Sequence, residues 1–165
     1  MSTIHSKNEK AKTNHSSEKT DDEKVDGIKA IFLKERKHWS DIVRELAKKF
    51  KNIDNLATLQ VELYSGYQDL AESKTDLLHT LASFNKVIAK QRELSFIKAK
   101  TESTVALKTA KDLDIFIESD LRSHIERQKI LDGQLEFVED TLKNIQNMIY
   151  GVKSRIDAEQ IMNNT

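Results

Sequence analysis

An all-α fold follows from three features of this 165-residue chain. It contains no proline and only four glycines, although ordinary usage near 5% would supply about eight prolines. Helix interiors exclude both residue types, proline because it lacks an N–H and clashes with the preceding turn, glycine because of the backbone entropy it loses. Charged residues make up 33% and apolar residues 38% of the chain, against usual values of about 25% and 45–50%. That mixture suits long, narrow helices with large solvated faces. Finally, Leu135, Val138, Leu142, Ile145, Ile149, Val152 and Ile156 recur in alternating steps of three and four, the heptad seam of a helix pressed against another helix. The expected architecture is a long antiparallel helical hairpin over 71–165, an N-terminal helical region over 27–70 and a tail over 1–26.

The tail holds four apolar residues, Met1, Ile4, Ala11 and Val25, among Lys, Glu, Asp, Ser, Thr, Asn and His. It cannot bury enough surface to offset the ordering of its backbone and is expected to be disordered. From Ile28 the pattern becomes helical: Ile28, Ile31, Phe32, Trp39, Ile42, Val43, Leu46 and Phe50 mark one face, with Lys34, Glu35, Arg36, Lys37, Arg44, Glu45, Lys48 and Lys49 opposite. Asn52 to Asn55 break the pattern, and Asp54 is available to cap the next helix, which carries Leu56, Leu59, Leu63, Tyr67 and Leu70. Gly66 lies inside that helix and marks a weak point, after which Ser73 and Thr75 offer a bend or a new cap.

A further helix is expected from about Asp76 to Lys100, with Leu77, Leu81, Phe84, Ile88 and Leu94 on one face and Asn85 and Gln91 as polar interruptions. Glu102 to Thr104 is the least helical spot before the end, so the turn of the hairpin belongs there. The closing helix runs from Leu121 to about Ile156, interrupted in its stripe by Gln128. Phe84, Phe96, Phe137 and Tyr150 exceed what one helix–helix interface can cover, which calls for the N-terminal helices and for other copies of the chain.

No thiol chemistry or disulfide is open to a chain without cysteine, and the absence suits a cytoplasmic protein. No apolar run approaches the length of a membrane span. Enzyme chemistry is unsupported: Ser119, Asp120 and His124 share one amphipathic stretch without an oxyanion-type glycine turn, and there is no phosphate-binding glycine loop. No cofactor and no metal is expected, since His5, His15, His38, His79 and His124 have no ligand spacing.

Formal net charge is zero, with 27 basic and 27 acidic residues, yet the charges are segregated. Between Lys86 and Lys111 seven basic residues (Lys86, Lys90, Arg92, Lys98, Lys100, Lys108, Lys111) face two acidic ones, a net of +5. Between Asp112 and Asp140 nine acidic residues face three basic ones, a net of −6. Such blocks pair with each other, or the positive one receives a polyanion. A purely structural coiled-coil adaptor corresponds to the first case; the basic face of residues 28–50 also suits a membrane surface.

Several pieces point to the second case. Leu135-Glu136-Phe137, the run Leu142 to Ile145, Tyr150-Gly151-Val152-Lys153 and the step Glu118-x-Asp120 occur at intervals that resemble the closing helix of the recombination mediator proteins of T4-type bacteriophages. Val87-Ile88-Ala89-Lys90-Gln91-Arg92 resembles the V-x-x-K-x-R segment on which that family places its single-stranded DNA contact. The resemblance covers roughly residues 55 to 162. It implies DNA contacts from Lys90 and Arg92, with Lys86, Lys98, Lys100 and Phe96 around them, and oligomerisation of the hairpin seam (Leu135, Val138, Leu142, Ile145, Ile149, Val152, Ile156) into a hexameric or heptameric ring. It further implies single-strand-binding protein and a RecA-like recombinase as partners, in the cytoplasm of an infected bacterial host. The family follows its motif with aromatics and a glycine-containing loop. Here Leu94 to Lys100 offers one aromatic, Phe96, and no glycine, so phosphate contact through Lys98 and Lys100 carries more of the expectation than base stacking.

Overall fold

A computed structural model describes residues 21–51, 55–101 and 109–163. Four helices and no strands are present among them: α1 (Asp21–Lys49), α2 (Leu56–Thr101), α3 (Ala110–Asp120) and α4 (Arg122–Asn163). The all-α expectation holds. The predicted cap Asp54, the predicted turn at Glu102 to Thr104 and residues 1–20 of the predicted tail lie outside the described residues. No described helix is long and apolar enough to cross a membrane.

Two local expectations are corrected. Helix α1 starts at Asp21, inside the segment expected to be disordered, and Val25 is buried. Helix α2 runs unbroken for 46 residues, about 69 Å at 1.5 Å per residue, straight through Gly66, Ser73 and Thr75; position 70/71 therefore falls mid-helix. Gly66 is buried, and a Cβ placed there would lie 3.7 Å from Ile145 and 3.8 Å from Trp39. Both are ordinary contact distances, so a methyl would fit there; docking of α2 on α1 and α4 carries the helix through the intrinsic cost of glycine. Thr75 keeps its hydroxyl on the Ala71 carbonyl at 2.9 Å and stays helical, while the Ser73 hydroxyl donates to Glu35 at 3.3 Å across to α1.

Cross-helix pairs fix the directions. Going up α2, Gly66 meets Ile145, Lys74 pairs with Glu139 at 3.0 Å, Asn85 accepts from Gln128 at 3.0 Å, and Lys98 reaches Asp120 at 3.3 Å. Partner numbers on α4 fall as those on α2 rise, so the two helices run antiparallel. Helix α1 lies in the groove between them, antiparallel to α2 (Glu35 to Ser73, Lys49 to Glu62) and parallel to α4 (Arg36 to Gln134, Phe50 to Arg155). The core of this three-helix section contains Trp39 and Leu46 from α1, Leu56 through Leu81 from α2 and Leu131 through Val152 from α4.

Three polar features close the packing. The polar interruptions of the α2 and α4 stripes, Asn85 and Gln128, hydrogen-bond to each other. In the core, fully buried Gln134 accepts a 2.7 Å bond from the Arg36 guanidinium, which also lies 5.6 Å over the Phe137 ring. At the base of the bundle the Arg155 guanidinium donates to the Phe50 carbonyl and sits 4.2 Å over its ring, holding the C-terminal end of α1 against α4.

Candidate nucleic-acid interface

The main core ends at Leu81 and Leu131, with Phe84 packed against it. Beyond that point α2 continues as an arm, and its partner is α3 together with the start of α4. Helix α3 begins with a capping box: the Thr109 hydroxyl accepts from the Asp112 N–H at 3.1 Å, and the Asp112 carboxylate accepts from the Thr109 N–H at 3.0 Å. These reciprocal bonds satisfy donors that a helix start would otherwise leave open. Helix α3 flows into α4 through Leu121, whose N–H reaches the Ile117 carbonyl at 3.0 Å and whose carbonyl accepts from Ile125 at 3.0 Å.

The arm closes over small residues. Ser95 and Ala99, one turn apart on α2, are buried together with Ile117 and Leu121. The Ser95 hydroxyl donates to the Asp120 carboxylate, whose other oxygen receives Lys98 at 3.3 Å. The Ser95 hydrogen bond, and then Lys98, holds the Asp120 carboxyl below its ordinary 3.8, although partial burial works the other way. Nearby, the Phe84 and His124 rings stack at 6.1 Å.

The predicted DNA contacts fall on this arm. Lys86, Lys90, Arg92, Lys98 and Lys100 are all exposed, and Phe96 is 38% exposed. They do not converge on one face: successive residues of a helix turn by about 100°, so Lys90 and Arg92 project about 200° apart. Lys86 and Lys90 share the outward face with Leu94 and Ile97, whereas Arg92, Phe96 and Lys100 form a row along one flank. Lys98 lies on the other flank and is engaged by Asp120. Among the described residues, Lys98 is the one member of the basic block that forms an ion pair with the acidic block; Lys86, Lys90 and Arg92 form none.

The seam assigned to oligomerisation sits elsewhere. Val138, Ile145 and Val152 are fully buried, Leu142 and Ile149 nearly so, and Leu135 and Ile156 pack against the same cluster. The seam faces α2 and α1 of its own chain. A heptad pattern states that a helix has a partner without saying which chain supplies it, and here the seam is taken up by its own chain.

Sequence reasoning missed the Ser95–Asp120–Lys98 lock and the Phe50–Arg155 clamp. For the first, Ser95 and Ala99 lie one turn apart, but a helix that also carries Ser65, Gly66, Ala71, Ser73, Ala82, Ser83 and Ala89 gives that pair no distinction. The second left no signal, because it joins residues 105 positions apart. Comparison of the chain with protein-family models, curated proteins and solved structures gave no match.

Proposed function

We propose that this chain is a recombination mediator: it binds single-stranded DNA, weakens the hold of a single-strand-binding protein on that DNA and helps a RecA-like recombinase to load. The observation that carries the reading is the arm, where exposed Lys86, Lys90 and Arg92 have no acidic partner among the described residues. Unpaired cations on a helix flank bind phosphate oxygens, Lys as a point charge and Arg as a forked donor. The family resemblance of residues 55 to 162 supplies the rest, including a ring-like assembly in an infected bacterium. In such a ring, individually weak phosphate contacts repeat and gain strength through effective concentration. Nothing in the mechanism calls for catalysis.

A structural coiled-coil adaptor is the second reading. It rests on pairing between the basic and acidic blocks, and the Lys98–Asp120 bridge is a pair of that kind. One exposed ion pair contributes little, however, and it leaves most of the basic block unanswered. Titration of a labelled oligo-dT strand across a range of salt concentrations separates the readings. The mediator binds with affinity that falls steeply with salt. An adaptor shows no binding, and a membrane-surface protein prefers anionic liposomes.

A further inference from the structure

Phe96 has one ring face turned to a lysine ammonium, Lys100 Nζ at 4.3 Å from the centroid, on an arm beyond the main core. Arg92, Phe96 and Lys100 follow one another at intervals of four residues, which places them in a single row with neighbours about 6 Å apart along the helix. An aromatic ring between two cations is what single-strand binders present to a nucleotide, the ring for the base and the cations for the flanking phosphates.

We propose that the Arg92–Phe96–Lys100 row of α2 holds one nucleobase per chain, the base stacking on Phe96 in place of the Lys100 ammonium while Arg92 and the displaced Lys100 take the adjoining phosphates. This rests on the single-stranded DNA reading above and adds to it that bases, not phosphates alone, are bound. The exchange is favourable because base–aromatic stacking outweighs a cation–π contact made by a solvated ammonium. Lys100 also gains a phosphate when it leaves the ring. Lys98 takes no part, since it points to the opposite flank and is held by Asp120.

The test compares oligo-dT with an equally long strand of abasic nucleotides, which has the same phosphates and no bases, using fluorescence anisotropy. The wild-type chain should bind oligo-dT at least about fivefold more tightly than the abasic strand, the lower end of what one stacked base contributes. Phe96→Leu keeps apolar bulk at an exposed helical position and should abolish that preference while leaving abasic binding and its salt slope unchanged. Phe96→Trp should retain or increase the preference. Wild-type binding equal on both strands, or a preference that survives Phe96→Leu, overturns the stacking site and leaves the DNA reading intact. Wild-type binding to neither strand overturns both.

Discussion

Replacement of Gly151 by Ala tests how α1 is anchored. A Cβ at this position would lie 2.7 Å from Phe50 Cζ and 3.1 Å from Cε2, where ordinary contact begins near 3.4 Å, so the ring must retreat by about 0.7 Å. That retreat disturbs the Arg155 guanidinium, which covers the same ring and bonds the Phe50 carbonyl. Overpacking of this kind costs about 1–3 kcal/mol, and the better helix propensity of alanine returns about 1 kcal/mol. The net expectation is a loss of up to about 2 kcal/mol. For a chain of this size that lowers the melting midpoint by up to about 8 °C, read by circular dichroism on heating and in urea. Gly66→Ala is the matched control, because its Cβ meets neighbours only at 3.7 and 3.8 Å; it should stabilise by up to about 1 kcal/mol. Combining Gly151→Ala with Phe50→Leu, a smaller side chain, should show favourable coupling in a double-mutant cycle. The reasoning fails if Gly151→Ala stabilises as much as Gly66→Ala.

Three further outcomes are expected. Val138→Asp buries an unpaired charge in a site with no exposure and should unfold the three-helix section or cost more than about 3 kcal/mol, seen as lost helicity or a collapsed urea midpoint. Asp120 is lowered from 3.8, so its contribution is complete above that value and fades as pH falls through the lower folded value; hydrogen exchange of α3 should accelerate on acidification from about pH 4 downward, and not between pH 5 and 8. Asp120→Asn keeps an acceptor for Ser95 but releases Lys98, so the salt slope of oligo-dT binding should steepen by up to about 0.7, one additional phosphate contact.

The helical fold was legible because helices are written locally: absent proline, periodic leucines and a heptad run each depend on neighbours within a few residues. The position of Gly66 was legible too, but its meaning was not. A glycine reads as a weak point, and only the docking of α2 against Trp39 and Ile145 shows why the helix runs through it unbroken. Likewise, Asn85 and Gln128 each read as a defect in its own stripe, and only the antiparallel register shows that they answer each other. The heptad seam was correctly recognised as a packing surface, while the identity of its partner is long-range information that spacing does not hold. For the site, charge segregation located the arm. The division of its cations between flanks, with Lys98 held by Asp120, depended on where α3 docks, and a composition count treats every lysine alike.

The central claim is that the arm binds single-stranded DNA through Lys90 and Arg92. Its most direct test is the salt dependence of oligo-dT binding by the Lys90→Ala/Arg92→Ala chain against wild type. Both side chains are exposed and take no described ion pair, so helicity and melting should be unchanged and any loss of binding belongs to the contact itself. Lys34→Ala/Lys37→Ala is the charge-matched control. It serves better than a change at Lys48 and Lys49, which pair with Glu45 and Glu62. The account predicts weaker binding with a slope shallower by about 1.4, two contacts at roughly 0.7 each, and little change in the control. Equal losses in the two variants, or a slope that neither variant alters, would contradict it.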